Sequence, residues 1–263
     1  MRIGKQDNAV TSICTSDATS ITVRGMDLCS DVIGRVDFTS YFWLLVTGTM
    51  PSPGQKALAD AVLCAIAEHG LVPSVVATRM TYAAAPEAFH GAVAAGLLGC
   101  GSVVLGSAEV AGQFYAQVVA DAEAGGEGGD PAAAATVAVR ALRADKKAIP
   151  GFGHPQHSGG DPRAHRLLAL AAEHGMEGRH IAMLRTIESV LPEAIGRSLP
   201  INVNGAIPAV MLDAGFPLAA LKGISLLART ASLIAHLQEE TERPIGFIMS
   251  GAAAERIGFE PLD

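Results

Sequence analysis

The chain has 263 residues, 49% of them apolar but only 5% aromatic, and carries a formal net charge of −7. That length can bury one sizeable core, as a large domain with or without a small lid. The acidic balance, with a pI near 5.6, excludes a broadly basic nucleic-acid surface, although a local arginine cluster could still hold an anion.

Cys14, Cys29, Cys64 and Cys100 are scattered, without CxxC or Cys/His metal spacing. They predict buried free thiols in a reducing, cytoplasmic setting and no metal site. The opening MRIGKQDNAVTS has no apolar signal core. The longest apolar stretch, 218–237, contains Lys222, Arg229 and His236. A membrane span needs roughly 20 mostly uncharged residues, so no membrane partner is expected.

In chain order, 21–24 reads as a short extended piece turned by Gly25, and 38–46 has helical apolar spacing. Pro51, Pro53 and Gly54 break the chain. Residues 57–69 form an amphipathic helix with Leu58, Ala61, Val62, Ala65 and Ile66 on one side. Gly70 caps it, which makes His69 its last residue, at the mouth of a turn. The Gly/Ala-rich stretch 91–112, interspersed with Leu and Val, predicts close helix–helix contacts. Helices follow at 108–124 and 132–145, separated by an acidic glycine loop. Residues 148–163 hold too many Gly and Pro for regular structure. Asp161 as N-cap and Pro162 as first residue open a helix closed by Gly175. Further helices are expected at 181–190, 204–213 and 218–240, with few strands.

The loop Pro150-Gly151-Phe152-Gly153-His154-Pro155 is the strongest local signal. Its glycines allow backbone amides to approach a ligand, and His154 could trade a proton near neutrality. The same loop could carry an incidental exposed histidine. Arg163, in the first turn of the next helix, could fork onto a carboxylate or be an ordinary surface arginine. Arg229, among Leu226, Leu227, Leu233 and Ile234, needs a ligand or a salt bridge to a helix acid. His236 follows two turns later on roughly the same face. Lys146 and Lys147 could face phosphates or simply end a solvated helix.

Taken in order, these elements resemble the citrate synthase superfamily. PGFGH followed by Asp161-Pro162-Arg163 is similar to its PGFGH…DPR element. Residues 21–27 and 38–51 resemble its N-terminal pattern, and Glu68-His69-Gly70 its Asp-His-Glu/Gly segment. Residues 201–205 resemble "NVDG", residues 227–236 the Arg-containing penultimate helix, and Glu242-Arg243-Pro244 its C-terminal element. The resemblance implies a mainly α, multi-helical fold with large and small parts, the smaller lid at about 145–225. It implies that His69 and His154 contact a citrate-like ligand, His154 moving its proton. Arg163 and Arg229 would clamp carboxylates. Arg243 would reach into a partner's site in a homodimer, and Pro150, Gly151, Phe152 and Gly153, with Lys146 and Lys147 upstream, would hold a coenzyme A thioester as co-substrate.

Two positions depart from the family. Where synthases carry a catalytic histidine in "GPLHGGA", residues 101–107 have Leu105, a loss shared with the citryl-CoA lyase type, which the short chain also resembles. The family's catalytic aspartate falls on Asn204, which cannot act as a base and is also a favoured N-cap. Cleavage of citryl-CoA, or of a related 3-hydroxy-3-carboxyacyl-CoA, to acetyl-CoA and oxaloacetate is therefore the leading expectation. Synthase-like condensation and a non-catalytic citrate or acyl-CoA binder are the alternatives.

Overall fold

The computed structural model describes residues 9–101, 103, 105–125, 129–153 and 160–261. It opens with three short strands, β1 (Cys14–Ser16), β2 (Ile21–Val23) and β3 (Met26–Asp27), in an antiparallel sheet ordered β1-β2-β3. Thr15 pairs with Thr22, and Val23 with Met26. The β2–β3 turn is the expected one, with Arg24 and Gly25 both at positive φ, 52° and 84°. The Arg24 guanidinium donates to the Leu45 carbonyl at 2.7 and 3.1 Å, fastening the sheet to the first helix.

After a short π-helical turn, Leu28–Val32, the regular elements among the described residues are helices, apart from one isolated bridge described below. The first helix, α1 (Phe38–Thr47), is capped by Asp37, whose carboxylate accepts from the Ser40 amide. The second, α2 (Pro53–Ala67), starts four residues earlier than its apolar spacing implies. Ser52 and Gln55 form a capping box and Pro53 takes the first helical position, so the prolines begin this helix rather than interrupt the chain. Next come α3 (Pro73–Ala84) and α4 (Phe89–Leu98), neither of which the apolar pattern announces. They pack closely because Gly96 has no side chain: a Cβ there would stand 2.0 Å from Thr78 Oγ1 and 2.7 Å from the Ser74 carbonyl. The close contacts expected of this Gly/Ala-rich stretch are present.

The helices α5 (Ser107–Ala124), α6 (Pro131–Ala144) and α7 (Pro162–Glu173) match their sequence signals within about a residue at each end. The next, α8 (Arg179–Ile195), runs further than expected, through Pro192. The following helix, α9 (Val203–Asp213), is apolar all round and buried continuously from Gly205 to Met211, as a central helix must be. It packs on α2, α5, α7 and α8. A 3₁₀ turn, Leu218–Ala220, leads into α10 (Leu221–Glu242), and α11 (Gly246–Arg256) follows. By length and composition the stretch Leu218–Glu242 could cross a membrane. Here it buries Leu221, Ile224, Leu233 and Leu237, packing on α2, α3, α4 and α5. One apolar cluster joins α1, α2 and α5–α10. The four cysteines are free thiols, but only Cys100 is buried, so the expectation of four buried thiols is corrected.

Candidate active site

Five helix ends meet at one cavity of about 340 Å³. Its walls include Ile66 and His69 after α2, Val72 and Pro73 at the start of α3, and Ser107 at the start of α5. Arg163 of α7, Val203 and Asn204 of α9 and Arg229 of α10 complete it, with Val103 and Leu105 from the loop before α5. Four of these helices present their N-termini, where partial positive charge favours an anion. Two of those N-termini, on α3 and α5, have no side-chain cap.

Each polar group is placed by local chemistry. The α2 helix stops at Ala67, so His69 is not its last residue. Glu68 is the C-cap, and its Oε1 accepts from the His69 amide at 2.9 Å and from the Gly70 amide. The tight turn this closes leaves His69 exposed at the cavity. Asp161, fully buried, caps α7 by accepting from the Arg163 amide. It also takes the Arg163 guanidinium in a fork, Nε at 3.0 Å and Nη2 at 2.9 Å, and the Val203 amide at 2.9 Å. One carboxylate thus joins the starts of α7 and α9. Burial pushes its pKa up, but the bonds from Arg163 and Val203 outweigh this and hold it below the usual range. Arg163 therefore reaches the cavity already partnered by Asp161.

Asn204 is not an N-cap. Asn202 caps α9, accepting from the Gly205 amide at 3.1 Å, which puts Asn204 at the second helical position, half-buried and lining the cavity. Arg229 is 3% exposed. Its Nε and Nη1 have no hydrogen-bond partner among the described residues, so the alternative of a salt bridge to a helix acid is not what the structure contains. Burial pulls its pKa below the ordinary arginine value, and the nearby Glu68 charge opposes that pull. The buried Ser107 hydroxyl, on the same cavity, is likewise without a partner among the described residues. Leu105, at the family's histidine position, has φ +64°, a conformation that costs a leucine strain.

The glycine-rich loop is used differently from its sequence reading. The Phe152 amide donates to the Ile149 carbonyl at 3.3 Å and the Gly153 amide to Pro200 at 2.8 Å. Asn202 donates from its backbone to the Gly151 carbonyl and from its side chain to the Gly153 carbonyl. The Phe152 amide closes a local turn, and the Gly153 and Asn202 amides form the bridge between Phe152 and Ile201, so the Phe152 and Gly153 amides are not open donors for a ligand. Gly151, at φ +86°, lies so close to Gly205 that a Cβ on either would overlap the other's backbone. The buried Tyr115 hydroxyl donates to the Pro150 carbonyl at 3.3 Å, and burial raises its pKa.

Of the residues singled out from sequence, His69, Arg163, Asn204 and Arg229 share the cavity. His154 lies outside the described residues. Arg243 is exposed at the end of α10, away from the cavity, and its carbonyl accepts from Arg79 Nη2 at 3.1 Å. Lys146 and Lys147 are exposed, and Lys147 pairs with Asp145 at 2.9 Å. His236 contacts Glu68 and Arg79 rather than the cavity. Sequence reasoning missed Ser107 and the wider role of Asp161. The signal for Asp161 was its dual position, an N-cap acid two residues before the arginine that lines the cavity. A second cavity of about 510 Å³, between α3, α10 and α11, is lined by Tyr82, Pro86, Pro244 and Phe247. Its one carboxylate, Glu240, is occupied by Arg79 and the Ile245 and Gly246 amides.

Known structures share this fold. Citryl-CoA lyase from Hydrogenobacter thermophilus superposes with a TM-score of 0.82 at 27% identity, covering 100% of this chain and 97% of that one. ATP citrate lyase from Methanothrix soehngenii, in complex with citrate and coenzyme A, gives 0.76 at 20% identity, over 99% of this chain but 43% of its own. Citrate synthase from Thermoplasma acidophilum gives 0.64 at 19% identity, over 79% and 54%. No curated protein sequence matches the chain. The family described as citrate synthase, C-terminal domain, matches residues 35–246, and the chain belongs to the citrate synthase family.

Proposed function

We propose that the protein cleaves citryl-CoA, or a closely related 3-hydroxy-3-carboxyacyl-CoA, to acetyl-CoA and oxaloacetate. The observation that carries this reading is the pair of buried groups, Arg229 and the Ser107 hydroxyl, without hydrogen-bond partners among the described residues, at a cavity edged by four helix N-termini. A buried charge without a partner is costly, and a carboxylate ligand removes that cost. Arg229 and Ser107 bind one carboxylate, Arg163 offers its remaining N–H groups to a second, and His69 bonds a third polar group. The near full-length likeness to a citryl-CoA lyase supports the choice of reaction.

In the cleavage direction, His154 or a water it holds takes the proton of the tertiary hydroxyl. The alkoxide electrons form the new ketone as the adjacent C–C bond breaks, and that bond's electrons become the acetyl-CoA enolate. Solvent protonates the enolate carbon. No step requires a carboxylate at position 204, and Asn204 bonds the thioester or enolate oxygen. The coenzyme A thioester lies along residues 146–153, held chiefly by the exposed Lys146 and Lys147 side chains, since the Phe152 and Gly153 amides are occupied. The segment 145–225 acts as a lid, and a homodimer completes each site with the partner subunit's Arg243. The exposed Phe247, Ile248, Ile257 and Phe259 near that end of the chain suit such an interface, and the free thiols suit a reducing cytoplasm.

The test is release of oxaloacetate from citryl-CoA by the purified protein, read through malate dehydrogenase and NADH. Turnover abolished by His154→Ala supports the reading. Citrate binding without turnover would instead support a non-catalytic binder, which Leu105 and Asn204 favour. Asn204→Asp supplies a base for the acetyl methyl proton. It should raise condensation of acetyl-CoA with oxaloacetate by about 10²–10⁴-fold in a lyase, and do nothing in a degenerate pocket.

A further inference from the structure

Beside the cavity, and partly open to solvent at Glu68, lies a polar cluster that the proposed chemistry does not use. Glu68 closes its own turn with Oε1, as described above. Its Oε2 accepts from the Ser232 hydroxyl and from His236 Nε2, the latter at 3.0 Å. His236 Nδ1 lies 3.3 Å from Arg79 Nη1. A guanidinium can only donate, so Nδ1 is the acceptor and Nε2 carries the hydrogen that goes to Glu68. Arg79 is itself fixed by Glu239, at 2.7 Å, and by Glu240. Ser232 and His236 follow Arg229 on α10 by three and seven residues, one and two turns along roughly one face. The cavity lining includes His69 and Arg229 but not Glu68.

We propose that Glu68, Ser232 and His236 form a positioning device that fixes the His69 turn against α10, beside Arg229, in the geometry that receives the substrate carboxylate. This rests on the functional reading above. Glu68 touches no reacting atom. It acts through the backbone of His69 and through its charge, which opposes the loss of charge on buried Arg229. Burial raises the Glu68 carboxyl, but the bonds from Ser232, Gly70 and His236 lower it further, so it stays ionised behind the clamp. His236 sets the direction of Glu68 because its other nitrogen is held by Arg79.

The experiment compares wild type with Glu68→Ala, His236→Leu and His236→Gln, the last of which keeps a side-chain N–H able to reach Glu68. Outer partners of metal ligands matter by about 10–100-fold, and an effect at the lower end of that range is expected for an outer partner of a carboxylate-binding turn. Glu68→Ala and His236→Leu should raise KM for citryl-CoA by about tenfold or more, with kcat much less affected and thermal melting nearly unchanged, while His236→Gln restores most of the KM. An unchanged KM in Glu68→Ala overturns the proposal. So does a His236→Gln variant as impaired as His236→Leu, with melting lowered in step. Nitrogen-15 NMR of labelled wild type provides a readout independent of activity. The His236 ring should be neutral with hydrogen on Nε2, and Glu68→Ala should mix the tautomers. If wild type cleaves no citryl-CoA but the ring shows this pattern, the functional reading fails and the positioning geometry stands. A mixed tautomer in wild type overturns the proposal whatever the activity.

Discussion

Arg79 and Arg229 are buried to nearly the same degree, 2% and 3% exposed, yet their surroundings differ in kind. Arg79 of α3 donates to Glu240, Glu239 and the Arg243 carbonyl, with His236 beside it. Burial works against its charge, but the two glutamates outweigh burial and raise its pKa. Arg229, two to three turns earlier on the α10 helix that supplies those glutamates, has Nε and Nη1 without a partner among the described residues. The C-terminal end of α10 is a brace between α3 and the α10–α11 corner, with the buried Arg79 charge paired from within the fold. Arg229, nearer the middle of the helix, holds a charge that no described residue pairs. Burial alone does not separate a structural arginine from a binding one, but the hydrogen-bond inventory does.

The largest expected effect breaks the braced side. Arg79→Met leaves Glu240 buried and uncompensated, and should cost about 3–5 kcal/mol in denaturant unfolding. Adding Glu240→Gln should recover part of that loss. The opposite outcome is expected at the other arginine. Arg229→Met should weaken citrate binding by about 2–5 kcal/mol in calorimetry, while the ligand-free melt stays level or rises. If Arg229→Met destabilises the free protein as strongly as Arg79→Met, the contrast between the two is wrong.

Two smaller effects sharpen it. Gly205→Ala puts a Cβ 2.4 Å from the Gly151 carbonyl oxygen, a backbone atom that cannot rotate away, and should cost about 1–3 kcal/mol by thermal or denaturant melting. The last concerns Asp213, which accepts from His180 Nδ1 and from the Gly178, His180 and Ile181 amides. Burial pushes its carboxyl up, but the His180 bond and the three amides hold it below the ordinary value. A depressed folded pKa contributes stability above the unfolded value of about 3.9, which is lost as pH falls through the folded value. Stability should therefore drop more steeply between about pH 5 and pH 3 in wild type than in Asp213→Asn, which cannot titrate. Denaturant melts at both pH values measure the difference.

Much of this was legible in the sequence. The Asp161-Pro162 start of α7, the Arg24-Gly25 turn and the buried arginine in an apolar helix are local patterns whose physics is local. The convergence of His69, Arg163, Asn204 and Arg229 followed from the ordered family resemblance, since no spacing rule joins residues 160 positions apart (229 − 69). What stayed hidden depends on tertiary choice. Either Asn202 or Asn204 could have capped α9, and the Asn202 side chain, also bonded to the Gly153 carbonyl, fixed the choice. The Gly151 and Gly153 loop could have faced a ligand or the protein. Only the proximity of Pro200, Ile201 and Gly205 decides that the Gly153 amide turns inward. The start of α4 carried neither a side-chain cap nor a proline, and α3 carried only Pro73 at its first position.

The contact of Gly151 with Gly205 has a consequence for exchange with solvent. It is made by main chain against main chain, so no rotamer change can loosen it gradually. The hydrogen bonds beside it, from the Gly153 amide to Pro200 and from the Asn202 amide to Gly151, open only if the two backbones separate. These two amides should therefore exchange with deuterium as one unit, at a common opening free energy. Their shared rate reports how often the segment leading to His154 detaches from the start of α9.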